Sequence, residues 1–333
     1  MTAATNVTAR LRRPPAGWLV VANKEFGDHV TSIRFVVLLL ILAAAIAPPL
    51  YFAAGTIRDL APQASGQPAV FLALFTLSSQ DLPILRFDVF VGLLAPLLGI
   101  AFGFDAVNVE RTEGTLPRLV AQPIHRDDVI NAKFAAGLTT IALMLGALTL
   151  LVAGFGIFRL GIVPSMSEAV RLLVWYLLTI GYVGFWLAFA MLLSVALRRA
   201  AASALIAFGV WFFFMVFWSL VATLAATLLA PATGAPEQVL GNLQFEQTIS
   251  RLSPATLYQE ASLVLLNPVA GSSNVSVPGS LGEYIQAQQQ IQSLHSLDQS
   301  LLLVWPQVVI LIALTVIAFA ASYVLFMRQE VRA

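Results

Sequence analysis

The side chains able to do chemistry are few in this chain, and a disproportionate share of them falls in one stretch, "FDAVNVERTEGTLPRLVAQPIHRDDVINAKF", Phe104 to Phe134. Elsewhere the parts for catalysis do not assemble. His29, His125 and His295 are scattered along the chain and none pairs with another at ligand spacing, which argues against a metal site. There is no cysteine, so thiolate metal, redox and disulfide chemistry are not available. Gly103, Phe104 and Asp105 would need a second facing acid for aspartyl hydrolysis, and no mid-membrane aspartate is there to supply it. Ser194, Ser203, Ser219 and Ser322 have no membrane-level histidine to activate them. The phosphate-cradling pattern G-x-x-x-x-G-K-[ST] does not occur, so the chain lacks the usual means of hydrolysing ATP. These gaps point away from an enzyme, and no cofactor is expected in the chain itself.

What must position the polar stretch is mostly hydrocarbon. Of 333 residues, 59% are apolar and 11% charged, where soluble domains carry about 25% charged residues. The composition is that of an integral membrane protein, and it overrides the two-domain expectation from length. A net charge of +1 gives no sign of a nucleic-acid partner. A helix needs about 20 apolar residues to cross the hydrocarbon core. Six stretches qualify, over about 36–55, 84–104, 134–158, 172–197, 200–230 and 301–327. Two shorter apolar runs, Val70 to Leu77 and Ala261 to Leu266, cannot span and are expected to be interfacial or re-entrant. Arg10, Arg12 and Arg13 precede an apolar run too long for a signal peptide, with no small-residue cleavage site after it. That pattern predicts a retained anchor.

Orientation follows from Lys and Arg, which cytoplasmic loops retain near span ends. With the N-terminus inside, most of the 18 Lys and Arg fall on the cytoplasmic side. Arg58, Arg86, Arg159, Arg171 and Arg251 are left for the outer side. Both termini and the polar stretch are therefore expected in the cytosol, in a cell (inner or plasma) membrane. Residues 1–35 read as a cytosolic tail and an amphipathic helix in the inner interface, because Trp18, Leu19, Ala22, Phe26, Val30 and Ile33 recur at helical steps with Lys24, Glu25 and Asp28 between them. On the outer side, residues 231–300 form a long loop. Ile285, Gln288, Ile291, Leu294, Leu297 and Leu301 in it share one helical face, which predicts a small helical cap before the last span. Residues 328–333 are the cytosolic C-terminus. The expected fold class is all-α integral membrane, with six transmembrane helices, an N-terminal interfacial helix, a cytosolic helix in the 105–133 loop and the outer cap.

A connection between two spans need only be a few residues long, so a loop over 105–133 does more than connect. Leu116, Leu119 and Val120 offer apolar anchors, Pro123 divides the loop, and Asp127 and Asp128 sit in the first turn of the next helix, where acids complement the dipole. Lys133 follows near the bilayer surface. Charges that set register and apolar anchors that give affinity are what contact with a soluble partner needs.

With "NKEF" near the N-terminus, E-R-x-E-G-T-L-x-x-L-x-x-x-P-I-x-R in the loop, "NAKF" after it, and six spans with a large last outer loop, the chain resembles ABC exporter permeases of the type-2 class. Within that class it is similar to the branch that includes nitrous oxide reductase maturation and multidrug resistance permeases. The topology matches over essentially the whole chain, and the specific motif covers about Glu110 to Lys133. The resemblance implies that this loop is a coupling element docked on a separate ABC ATPase subunit, which carries the ATP and Mg. It places Glu110, Arg111, Glu113, Gly114, Thr115, Leu116, Pro123, Arg126 and Lys133 at the coupling positions. It also implies pairing of two permeases, as a homodimer or heterodimer.

Charges inside spans are functional candidates because burying them is costly. Arg86, Asp88, Asp105 and Arg171 all lie near span ends and are expected to snorkel to an interface, with no charge at mid-depth. Spans four and five are rich in aromatics. Trp175, Tyr182, Trp186, Trp211, Phe214 and Trp218 are candidates for a translocation path, against the plainer reading that they face lipid or a neighbouring helix. Pro48, Pro49, Pro96 and Pro306 predict kinks or breaks. The reading favoured is a permease subunit that exports a hydrophobic or amphipathic compound, with a possible periplasmic partner at the outer loop. The alternatives are a non-transporting membrane sensor or scaffold coupled to the same kind of ATPase, and a self-contained secondary carrier.

Overall fold

The structure, a computed structural model, describes residues 17–59, 70–77, 86–112, 114, 125–232, 234, 236–267 and 296–329. Among these the secondary structure is helical, and six helices are long and apolar enough to cross a membrane. They are α2 (Ile33–Asp59), α4 (Phe87–Gly103), α6 (Arg126–Leu160), α7 (Met166–Ala196), a fifth span built from α8 (Ala200–Phe212), a π-helical segment (Phe213–Phe217) and α9 (Trp218–Leu229), and α12 (Leu297–Arg328). Around them lie α1 (Gly17–Val30), α3 (Val70–Thr76), α5 (Asn108–Thr112), α10 (Pro236–Ser250) and α11 (Pro254–Leu266). The six expected spans are all present. Residues 268–295, where most of the expected outer cap falls, lie outside the described residues.

The fourth span is the hub, because α7 packs against α4, α6, α8, α11 and α12. Its contact with α4 is close enough to exclude side chains. A Cβ on Gly99 would stand 2.7 Å from the Val183 carbonyl oxygen, and one on Gly103 would stand 2.8 Å from the Leu187 carbonyl oxygen. Without a hydrophobic driving force between helices in lipid, such small-residue seams let backbones approach and gain packing. The start of α7 is fixed by a capping box. Ser165 Oγ accepts from the Glu168 amide while Glu168 Oε2 accepts from the Ser165 amide at 2.8 Å, and Glu168 Oε1 accepts from the Phe71 amide at 2.9 Å, which ties down α3. The short run from Val70 is thus a buried helix inserted among the spans, too short to cross.

Three expectations are revised. The prolines break nothing, since α2, α4 and α12 run through Pro48, Pro49, Pro96 and Pro306 as continuous helices. The irregularity falls instead at the proline-free Phe213–Phe217. There the wider turn gathers the rings of Phe213, Phe214, Phe217 and Trp218, with Phe214 and Trp218 centroids 5.0 Å apart. Nor do the span-end charges all snorkel. Arg171 is 4% exposed and donates to Ser300 Oγ at 2.8 Å, and Asp88 is buried in a forked pair with Arg86 at 2.6 and 3.0 Å. Burial with a partner is the other way to hold a charge at this depth.

The third revision concerns the loop after span five, whose first half is a helical hairpin folded back on the bundle. Asn242 Nδ2 donates to the Ala226 and Ala230 carbonyls, Thr223 Oγ1 to Glu246 Oε1, and Trp218 Nε1 to the Ile249 carbonyl, so α10 runs back alongside α9. After a turn, α11 returns against α7. Tyr258 stacks on Tyr182 at 4.4 Å and Trp175 Nε1 donates to Ser262 Oγ at 2.7 Å, while Arg171 reaches the Leu265 carbonyl. The hairpin carries Arg251 and Glu260 to a depth where the sequence alone placed no charge.

Candidate functional site

Two apolar-to-polar transitions meet at the end of the bundle where span one begins and span six ends, here termed the basic end. The helix α1 lies along α6, with Val21 buried in the contact. One turn further on, Glu25 faces the same side. Glu110, on α5 just beyond span two, and Lys133, two turns into α6, complete a triad. Lys133 Nζ stands 2.8 Å from Glu110 Oε1 and 3.1 Å from Glu25 Oε2, and the three side chains are only 9%, 13% and 13% exposed. Each acid comes from a different segment, so the lysine clamps α1, the exit of span two and the start of span three together. A buried ionic cluster of this kind adds little net stability, but it fixes geometry and is costly to break.

Around the triad, backbone and side chains lace the remaining helix ends to the same point. Asp105 takes a bidentate contact from Arg34 at 2.6 and 3.1 Å, and Arg34 also donates to the Ala101 carbonyl at 2.9 Å. Ser194 Oγ, near the end of span four, accepts from the amides of Val107 and Asn108 at 3.1 and 3.3 Å. Arg111 donates to the carbonyls of Val195 and Leu197 and to the side chain of Gln329, whose Nε2 in turn donates to the Val195 carbonyl at 2.7 Å. Arg126 donates to the Gln329 carbonyl at 3.1 Å. The resulting network joins spans one, two, three, four and six at the flanks of the polar loop. An open crevice of about 570 Å³ lies beside it, lined by Arg111, Thr112, Val195, Ala196, Arg198 and Gln329.

Of the expected coupling residues, Glu110, Arg111, Arg126 and Lys133 thus converge. Glu113, Thr115, Leu116 and Pro123 lie outside the described residues, as does the expected amphipathic helix of the loop. Gly114 is described. Its φ of +66° is a left-handed turn just after α5, and among the described residues no side chain or backbone beyond its own neighbours lies within 4 Å of where a Cβ would be. Glu25 was missing from the expected set. Its signal was present as an acid one turn from an apolar position on a helix that must pack on something, but which span carried the matching cation could not be read from the sequence.

His29 lies beside this network, edge-on to Phe102 at 5.1 Å. Its pKa is lowered from 6.5, chiefly by burial, with the pull of Glu25 and Asp105 opposed by Lys133 and Arg34. A histidine held neutral in the fold binds fewer protons than in the unfolded chain, so its contribution is complete above pH 6.5 and is lost as pH falls through that value toward the lowered one. Melting of the purified protein is therefore expected to shift downward on acidification from about pH 7.5 to about pH 5.5, and His29→Phe is expected to flatten that dependence. Equal pH dependence in both proteins would refute the assignment.

The aromatic candidates divide by placement. Trp175, Tyr182, Trp186 and Trp211 are buried within the protomer, and Tyr182 also donates to the Gly92 carbonyl at 3.3 Å. Phe214 and Trp218 are half-buried at the edge of span five, while Phe213 and Phe217 are exposed beside them.

The described residues form a bundle of six apolar helices long enough to cross a membrane, with a polar network at one end. Residues 19–331 match the profile of the ABC-2 family transporter proteins, so the chain belongs to that family. It is a multi-pass membrane permease subunit, and the family implies an ABC ATPase as a separate partner. Among curated proteins it is similar to the probable ABC transporter permease protein NosY of Stutzerimonas stutzeri, with 27% identity over 275 residues, covering 79% of this chain and 86% of that one.

Proposed function

We propose that the protein is the membrane subunit of an ATP-driven exporter in the cell (inner) membrane, working as a pair of permeases with two ATPase subunits. The observation that carries this reading is the network at the basic end. The flanks of one polar loop are fastened to five spans through Glu25, Lys133, Glu110, Arg34, Asp105, Arg111 and Arg126, so force applied at the loop is delivered to the bundle as a whole. Its excess of Lys and Arg favours a cytosolic basic end with both termini inside. The substrate class this supports is a hydrophobic or amphipathic compound, and the opposite end is available to a periplasmic partner.

The turn at Gly114 gives a test that leaves the bundle alone. A β-branched residue is disfavoured at φ of +66° by roughly 1–2 kcal/mol, whereas asparagine tolerates it. Gly114→Val is expected to weaken co-purification of the ATPase and to lower substrate-stimulated ATP turnover in liposomes, while Gly114→Asn behaves as wild type. Equal ATPase retention by the two variants would remove the loop from the docking surface. Retention of the ATPase in wild type without any transport-linked turnover would favour a sensor or scaffold.

A further inference from the structure

The α10–α11 hairpin puts polar groups where lipid would be expected. Trp218, which bonds the Ile249 carbonyl, is eleven residues before the end of α9, about 16 Å along the axis. Gln307 lies six residues beyond Leu301, where the apolar part of span six begins, or about 9 Å inside. The turn between the hairpin helices thus lies about 9–16 Å inside the outer ends of spans five and six, alongside their apolar segments. At this depth Arg251 is half exposed, and α10 has no buried residue along its length.

The geometry of the pair is asymmetric. Glu260 is held on the protein side, since Gln307 Nε2 donates to its Oε2 at 3.1 Å. Arg251 reaches both Glu260 oxygens through Nε alone, at 2.9 and 3.1 Å. Its two terminal amino groups have no hydrogen-bond partner among the described residues. A guanidinium edge presenting parallel N–H donors matches a carboxylate, phosphate or sulfonate. The exposed rings of Phe213 and Phe217 lie at the same level of span five, adjoining Trp218. Charges at such depth mark sites that meet water, partners or substrate, because bare lipid contact is costly.

We propose that Arg251 is the headgroup site of an anionic amphiphile, with the ligand's acid on the free guanidinium edge and its apolar tail along the Phe213 and Phe217 face. The inference rests on the exporter reading for its biological sense, since it narrows the substrate class of that reading. The site itself stands on geometry. The same chemistry fits a transported amphiphile and a resident anionic lipid, and the two are separable.

The test uses the permease with its ATPase in nanodiscs of uncharged lipid and two photoreactive probes of equal chain length, a fatty acid and the matching alcohol. Crosslinks are mapped by mass spectrometry. The acid is expected to label the 213–218 and 247–251 segments more than the alcohol does. Arg251→Gln should reduce acid labelling roughly ten-fold, the loss of a charge-assisted contact, and leave alcohol labelling unchanged. Glu260→Gln, which frees the remaining guanidinium donor, should raise acid labelling, so the idea stays testable if Arg251→Gln fails to fold. Equal labelling by acid and alcohol, or acid labelling indifferent to both substitutions, would overturn the site. If the acid also stimulates ATP turnover, the ligand is a transported amphiphile. If added phosphatidylglycerol displaces the probe and turnover does not respond, the site stands as a lipid headgroup site and the exporter reading loses this support.

Discussion

Lys133→Met is expected to cost about 3–5 kcal/mol, the penalty for stranding charge at a buried site. The substitution keeps the length and apolar stem of the side chain but removes the cation that stands 2.8 and 3.1 Å from two carboxylates, each 13% exposed. Glu110 and Glu25 would then face each other across the gap with like charge, in a medium that screens poorly. They must take up protons or separate, and separation peels α1 away from α6. The measurable results are a lower melting temperature in detergent and cleavage within α1 by added protease. The decisive comparison is Lys133→Met with Glu25→Gln and Glu110→Gln together, which removes all three charges and should recover most of the loss. A single Lys133→Met variant as stable as wild type would show that the triad does not hold the basic end together. So would a triple variant no better than the single one.

The second large effect is expected at the seam between spans two and four. Gly99→Leu places its Cβ 2.7 Å from the Val183 carbonyl oxygen and 2.8 Å from the Leu187 amide nitrogen, contacts with backbone that no rotamer change relieves. Helices must move apart, and overpacking of this kind costs about 1–3 kcal/mol or more. Gly103→Leu meets the Leu187 carbonyl oxygen at 2.8 Å and should behave alike. Because α7 is the hub of the bundle, spreading this seam loosens the bundle as a whole. Gly181→Ala is the internal control, since among the described residues nothing outside its own helix lies within 4 Å of its added Cβ. It should be neutral or slightly stabilising through helix propensity. Equal melting temperatures for Gly99→Leu, Gly103→Leu and Gly181→Ala would refute the close-packed seam.

The spans were legible in the sequence because crossing hydrocarbon imposes a length and a composition that nothing else imitates. Each expected segment overlaps a helix, and the main differences are at the ends, where polar residues such as Arg126 and Asp127 extend a helix past the apolar run. The resemblance rested on three stretches, one of them far along the chain from the other two, and the structure joins all three through Lys133 of "NAKF", Glu25 of "NKEF" and Glu110 of the loop motif. What was not legible depended on which neighbour a residue would find. The contacts of Trp175 with Ser262 and of Tyr182 with Tyr258 on α11 could not be read, because an aromatic facing a channel and one facing a helix look identical in sequence. The α10 helix falls in a stretch, 231–300, whose Pro, Gly, Ser, Asn and Gln give it the composition of an outer loop. Its placement beside span five comes from Asn242, Thr223 and Trp218, single hydrogen bonds with no periodic signature.

The hairpin also sets how stiffness is distributed. Its α11 arm is sealed against α7 and α12, whereas its α10 arm hangs chiefly on α9 by a few hydrogen bonds. Resistance to displacement scales with the contact that must be given up, so the hub is the rigid frame and span five the compliant member. The two arms meet at residues 251–253. The short turn that carries Arg251 therefore joins a firmly packed helix to a lightly held one.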